Sequence, residues 1–207
     1  MSLIPIINQA FNYVMRTSKL FNIDESHALK HSIEVYNIAN KIYVSELINN
    51  PHLVQQKEII CVSAILHDMC DKKYMPQHNG ISLIKMYMSD YMTQTNLDIV
   101  ENIISTMSYS TVKNSGYPNL GEYQLAYHIV READLLSAYD IDRCIIYSMY
   151  KEKLEYDKAL KRAIELFDDR IFKYRSDKLF VTNYSKIESL KLHKKAQKEI
   201  DWLQLEY

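Results

Sequence analysis

Ile59-Ile60-Cys61-Val62-Ser63-Ala64-Ile65-Leu66-His67-Asp68 is the stretch that decides the fold. A helix on the surface of a globular protein keeps a polar face toward water. Positions 59–66 offer almost none, so we read a helix over roughly 55–68 lying at the centre of a helical core. It ends by delivering an imidazole and a carboxylate, His67 and Asp68, to the edge of that core. Buried polar groups need partners, and a metal ion is one such partner. The alternative for the dipeptide alone is a chance pair with a solvated Asp at a helix end.

Upstream, apolar residues at Ile6, Ala10, Phe11, Val14 and Met15 give a helical period over 3–21. Asp24 is placed to N-cap a second helix running through His27, His31, Val35, Ile38, Ala39 and Ile42 to about Leu47. Asn49, Asn50 and Pro51 end it. Downstream, 71–80 reads as a polar loop, followed by helices over 81–91 and 97–107. Residues 109–121 carry Gly116, Pro118 and Gly121 and read as an irregular loop over a site. Residues 124–149 form one or two helices, and 156–174 and 185–205 two more. Only 3 Gly and 4 Pro in 207 residues fit long helices rather than many short strands. The expectation is an all-α single domain. Residues 1–150 would form the core with the site, and 151–207, richer in Lys, Glu and Asp, a helical cover of the same domain.

A net charge of -1 gives no general positive field for duplex nucleic acid or a membrane surface. Lys191, Lys194, Lys195 and Lys198 share one helix face, but Glu188 and Glu199 lie beside them, and we read a solvated face. Cys61, Cys70 and Cys144 are odd in number and include no C-x-x-C pair, which fits reduced thiols in a cytoplasmic setting. Residues 1–16 lack a basic segment followed by a long apolar run, so we expect no signal peptide. No apolar run approaches the length of a membrane span.

Two more segments carry candidate chemistry. His27 and His31 are spaced i, i+4, which places them on one helix face. That spacing can bind zinc, although the Glu of the zincin motif is missing; otherwise the two are partly exposed histidines at a helix start. Asp134 stands in the apolar setting Ile129-Val130-Arg131-Glu132-Ala133-Asp134-Leu135-Leu136. It is either a buried ligand or one exposed position of an amphipathic helix.

The order His31, His67-Asp68, Asp134 resembles the HD superfamily of metal-dependent phosphohydrolases. The likeness extends to four segments. Asp24-x-Ser26-His27 with His31 and Val35 is similar to a D-x-S-H-x-x-x-H-x-x-x-V opening. Ala64-Ile65-Leu66-His67-Asp68-Met69-Cys70-Asp71-Lys72-Lys73-Tyr74 resembles L-L-H-D-[IV]-x-D-x-K-[FY]. Ile104-Ser105-Thr106-Met107-Ser108-Tyr109 resembles I-x-x-I-S-[FY]. Ile129-Val130-Arg131-Glu132-Ala133-Asp134-Leu135-Leu136-Ser137-Ala138 resembles I-V-Q-D-A-D-R-L-D-A. The nearest subgroup is that of small bacterial nucleotide pyrophosphohydrolases. The chain departs from it at Leu135 and Ser137, and at 139–143, where a Gly-rich stretch is replaced by Tyr139-Asp140-Ile141-Asp142-Arg143.

The resemblance implies an HD-domain helical bundle holding one divalent metal ion through His31, His67, Asp68 and Asp134. Mn, Co, Ni, Fe and Zn suit imidazole with carboxylate, and Mg suits it less well. It implies release of phosphate or pyrophosphate from a nucleotide by a metal-activated water, with Asp68 and Lys73 catalytic. His27, Lys72, Lys73, Arg131 and Tyr109 are the expected substrate contacts, with Tyr74 a second ring able to stack on a base. The second ion of two-metal relatives needs extra histidines. Met107 stands where some of them carry one, and His78 and His128 are the remaining candidates. The partner expected is a small phosphorylated molecule, with no duplex nucleic acid and no membrane; a homodimer is allowed for. The rival readings are a phosphodiesterase of cyclic or linear dinucleotides and a catalytically weak metal-binding regulatory protein.

Overall fold

A computed structural model of the chain describes residues 2–206. Its elements are α1 (Ile4–Leu20), α2 (Leu29–Leu47), α3 (Lys57–Leu66), α4 (Gln77–Met88), α5 (Gln94–Thr106), α6 (Tyr109–Ser115), α7 (Gln124–Ser137), α8 (Ile141–Tyr150), α9 (Tyr156–Asp169) and α10 (Asn183–Glu206). Short 3-10 turns occupy Pro51–Gln56, Gly121–Tyr123 and Ile171–Lys173, and there is no strand among the described residues. The protein is all-α, as the sequence indicates, and folds as a single domain.

α3 is the axis of the fold. Every residue from Ile59 to Leu66 is buried, and α1, α2, α5 and α7 pack around it. Burying each of its large aliphatic side chains is worth about 1.5–3 kcal/mol, which is why the most apolar segment takes the centre. The chain leaves α3 at His67, and the turn that follows carries Asp68.

Two boundaries differ from the sequence reading. Asp24 does not cap α2. Its carboxylate accepts the Ser26 N–H at 3.0 Å, the Ser26 hydroxyl, and the Tyr74 hydroxyl at 2.5 Å. With that carboxylate committed, residues 24–28 form turns and α2 begins at Leu29. His27 therefore precedes the helix, and His27 and His31 do not share a helix face. The segment 109–121 is not wholly irregular either. Ser108 accepts the Thr111 N–H at 3.2 Å as an N-cap, and Gly116, at φ +75°, ends the helix. These two signals bracket α6.

The C-terminal residues are tied to the core by buried polar groups. Glu132 of α7 accepts the Val181 N–H at 2.6 Å, the Thr182 N–H at 3.1 Å and the Thr182 hydroxyl at 2.6 Å. Glu46 of α2 accepts the Asn183 N–H at 3.0 Å. Thr182 Oγ1 in turn accepts the Ser185 N–H, so the tether also caps α10. α8 packs on α9, and α10 on α2 and α7.

Candidate metal centre

Three elements meet at the end of α3. α2 presents His31 from its first turn, the α3 exit presents His67 and Asp68, and α7 presents Asp134 near its end. α2 packs against both α3 and α7, which brings the three together. The two imidazole Nε2 atoms lie 3.0 Å apart. Asp68 Oδ2 is 3.2 Å from each of them. Asp134 Oδ1 is 3.5 Å from His31 Nε2 and 3.7 Å from His67 Nε2.

This geometry suits a cation. Donor atoms about 2.1 Å from an ion, at right angles to one another, are about 3.0 Å apart, close to the spacings seen here. His67 Nδ1 lies 2.9 Å from the Ala64 carbonyl, which can only accept, so Nδ1 carries the proton. Nε2 is then the ring atom turned toward the neighbouring side chains, the bonding pattern that orients a metal-ligating histidine. Asp68 Oδ2 is buried and has no hydrogen-bond partner. Two carboxylates facing one buried point call for a positive charge among them, which a protonated His67 or a metal ion supplies. His31, His67 and Asp134 are a group that can hold a metal ion.

The charges respond to that crowding. Burial opposes the charged form of His67, but the carboxylates of Asp68 and Asp134 outweigh it and push the ring up to about 9. Burial likewise acts against ionised Asp68 and Asp134, and the histidines still hold both below the usual carboxylate range. For His27 burial wins, and its pKa is lowered.

A cavity of about 460 Å³ opens above the cluster. Its wall includes His67, Asp68 and Asp134, and it also brings in His27, Lys72, Lys73 and Tyr109. Arg131 is not there. It is only 2% exposed; its guanidinium donates to the Leu179 carbonyl, pairs with Glu132 and covers the Tyr117 ring at 4.8 Å. The expected substrate contact at Arg131 is thus corrected to a buried tether of the segment leading into α10. His78 is exposed, and His128 sits against Tyr117 and Tyr127, so neither faces the cluster.

Other cations on the cavity wall escaped the sequence reading. Arg143 of α8 donates from Nε to the Ser26 carbonyl at 2.5 Å and from a terminal nitrogen to Ser137 Oγ at 3.2 Å. Its other contacts are Asp68 Oδ2 and Asp134 Oδ1, each at 3.7 Å. Arg162 and Arg170 reach the wall from the C-terminal residues. Arg170 stacks over Tyr109 at 4.2 Å and donates to the Tyr174 hydroxyl at 3.0 Å, so one face of the Tyr109 ring is already covered.

Comparison with protein-family models finds no match, and neither does comparison with curated proteins. Among solved structures the chain resembles the crystal structure of a Lactobacillus plantarum protein determined as a structural-genomics target. The TM-score is 0.70 at 18% identity, covering 98% of this chain and 96% of the other. The two share a fold over essentially their whole lengths. No helix of the described residues is long and apolar enough to cross a membrane.

Proposed function

We propose that this chain is a metal-dependent phosphohydrolase of the HD superfamily that acts on nucleotides. The observation that carries the reading is the convergence of His31, His67, Asp68 and Asp134 beside a cavity whose wall includes the last three of them together with Lys72, Lys73, Arg143, Arg162 and Arg170. A volume of about 460 Å³ lies within the range of small-molecule sites. A divalent ion held there would draw charge from a phosphoryl oxygen and acidify an attacking water.

The chain's own residues supply the rest. Asp68 and Asp134 are held ionised and can orient a water. Arg143, fixed by Ser26 and Ser137, keeps a guanidinium edge beside both carboxylates, where a phosphoryl oxygen would meet it. The Lys73 ammonium stands over His27 at 3.0 Å on the same wall. Arg162 and Arg170 lie on it as well, suited to further phosphates of a nucleotide tail.

The test is product analysis by chromatography and mass spectrometry with a pool of nucleoside tri- and monophosphates and Mn²⁺. Wild type should release phosphate or pyrophosphate, and Asp68→Ala should not. Products equal in the two proteins, or absent from both, would refute the nucleotide reading; a linear dinucleotide in the same assay separates the phosphodiesterase reading.

A further inference from the structure

His27, Asp68 and Asp71 form a second group whose donor atoms all lie within 4.8 Å of one another. Asp68 thus faces two positions at once, and a pair of ions would share it as a bridge. The second position already contains a positive charge. The Lys73 ammonium lies 3.0 Å from His27 Nε2 and 3.4 Å from Asp71 Oδ2. The loop builds this arrangement, because Asp71 Oδ1 also accepts the Lys73 backbone N–H at 2.8 Å.

His27 is prepared for such a neighbour. Asp24 accepts the hydroxyl protons of both Ser26 and Tyr74. That leaves the Ser26 oxygen to accept from His27 Nδ1–H, 2.6 Å away. His27 Nε2 then offers a lone pair toward Lys73. An ammonium has donors only, so the two are complementary. The Lys73 nitrogen also lies 5.2 Å from the centre of the Tyr147 ring, a further cation-binding contact.

We infer that the Lys73 ammonium occupies the place of a second divalent ion, so that the centre binds one metal and carries its other cation on the chain. This rests on the metal reading of His31, His67, Asp68 and Asp134. The built-in cation is present whatever the metal supply. With two of its donors directed to His27 and Asp71, the third can serve a phosphoryl oxygen on the cavity side. The group also accounts for the chain's lack of extra histidines: a position filled by lysine needs no further ligands.

The experiment counts metal per chain by mass spectrometry after Mn²⁺ loading and removal of free ion, with electron paramagnetic resonance on the same samples. The Lys73 side chain is 44% exposed, so Lys73→Ala leaves the core intact, which circular dichroism checks. Wild type and Lys73→Arg should bind one ion. Lys73→Ala should bind two with an exchange-coupled spectrum, and adding Asp71→Ala should return the count to one. Two ions in wild type, or one in Lys73→Ala, would overturn the inference while the metal centre stands. None in wild type would remove the centre and the inference together.

Discussion

Gly80, in the first turn of α4, packs directly against the turn that carries the site. A Cβ at position 80 would lie 2.7 Å from both Cys70 Cα and Cys70 Cβ and 2.9 Å from Met75 Sδ. Ordinary carbon contacts are about 3.5–4.0 Å, so Gly80→Ala must push α4 and the Cys70 backbone apart by about 1 Å. Overpacking of this kind costs about 1–3 kcal/mol. The better helix propensity of Ala returns about 1 kcal/mol. The net loss of stability is then about 1 kcal/mol, or roughly 2–4 °C in Tm for a domain of this size. The effect on the site should be larger. Cys70 follows Asp68 by two residues and precedes Lys73 by three, and a displacement of about 1 Å at reacting groups can cost roughly 100-fold in rate. Differential scanning fluorimetry, Mn²⁺ titration and turnover on one preparation make the comparison. A variant more stable than wild type, with unchanged Mn²⁺ affinity and turnover, would refute the reasoning.

Two further outcomes follow from the same geometry. Arg143→Ala should lower kcat/KM by roughly 10- to 100-fold, the loss of a charge-assisted contact of about 1.5–3 kcal/mol, with Arg143→Lys intermediate and Mn²⁺ binding retained; an unchanged kcat/KM removes Arg143 from the substrate's reach. Burial, and then the charge of Arg131, push His128 down to about 4. The unfolded chain, with a His near 6.5, therefore takes up its proton first as pH falls, and stability declines between about pH 6.5 and 4. From about pH 7.5 to about pH 5 this one group should remove about 2 kcal/mol, and His128→Phe should lose that part of the slope in urea unfolding; an equal decline in both proteins would show that His128 is not the group responsible.

The central helix and the order of the candidate ligands could be read from the sequence because both depend on local signals. An unbroken apolar run has nowhere to lie but the core, and His67-Asp68 at its end must meet whatever the neighbouring helices present. What depends on non-local contacts could not be read. Arg131 lies three residues before Asp134 and reads as a site cation, yet its guanidinium is held by the Leu179 carbonyl, 48 residues away, and the neighbouring Glu132 carboxylate by the Val181 N–H, 49 residues from it. Arg143 reads as one charge among Asp140 and Asp142. Its reach to Ser26, 117 residues earlier, depends on how α8 leaves α7. Residues 151–207 read as a peripheral cover by their charge, but Arg162, Arg170 and Tyr174 form part of the cavity wall. His27 lies outside the helix for a local reason: the Asp24 carboxylate that reads as an N-cap is engaged by Ser26 and Tyr74 instead.

The most direct test of the account is the thermal melt of metal-free protein titrated with Mn²⁺, which needs no substrate. Binding at a hundredfold excess over Kd adds about 2.7 kcal/mol to the folded state, or roughly 5–10 °C at this chain length. Wild type should show that rise, and Asp134→Ala and His31→Ala should lose most of it. A wild-type Tm indifferent to Mn²⁺, or the same rise in all three proteins, would contradict a metal centre at His31, His67, Asp68 and Asp134.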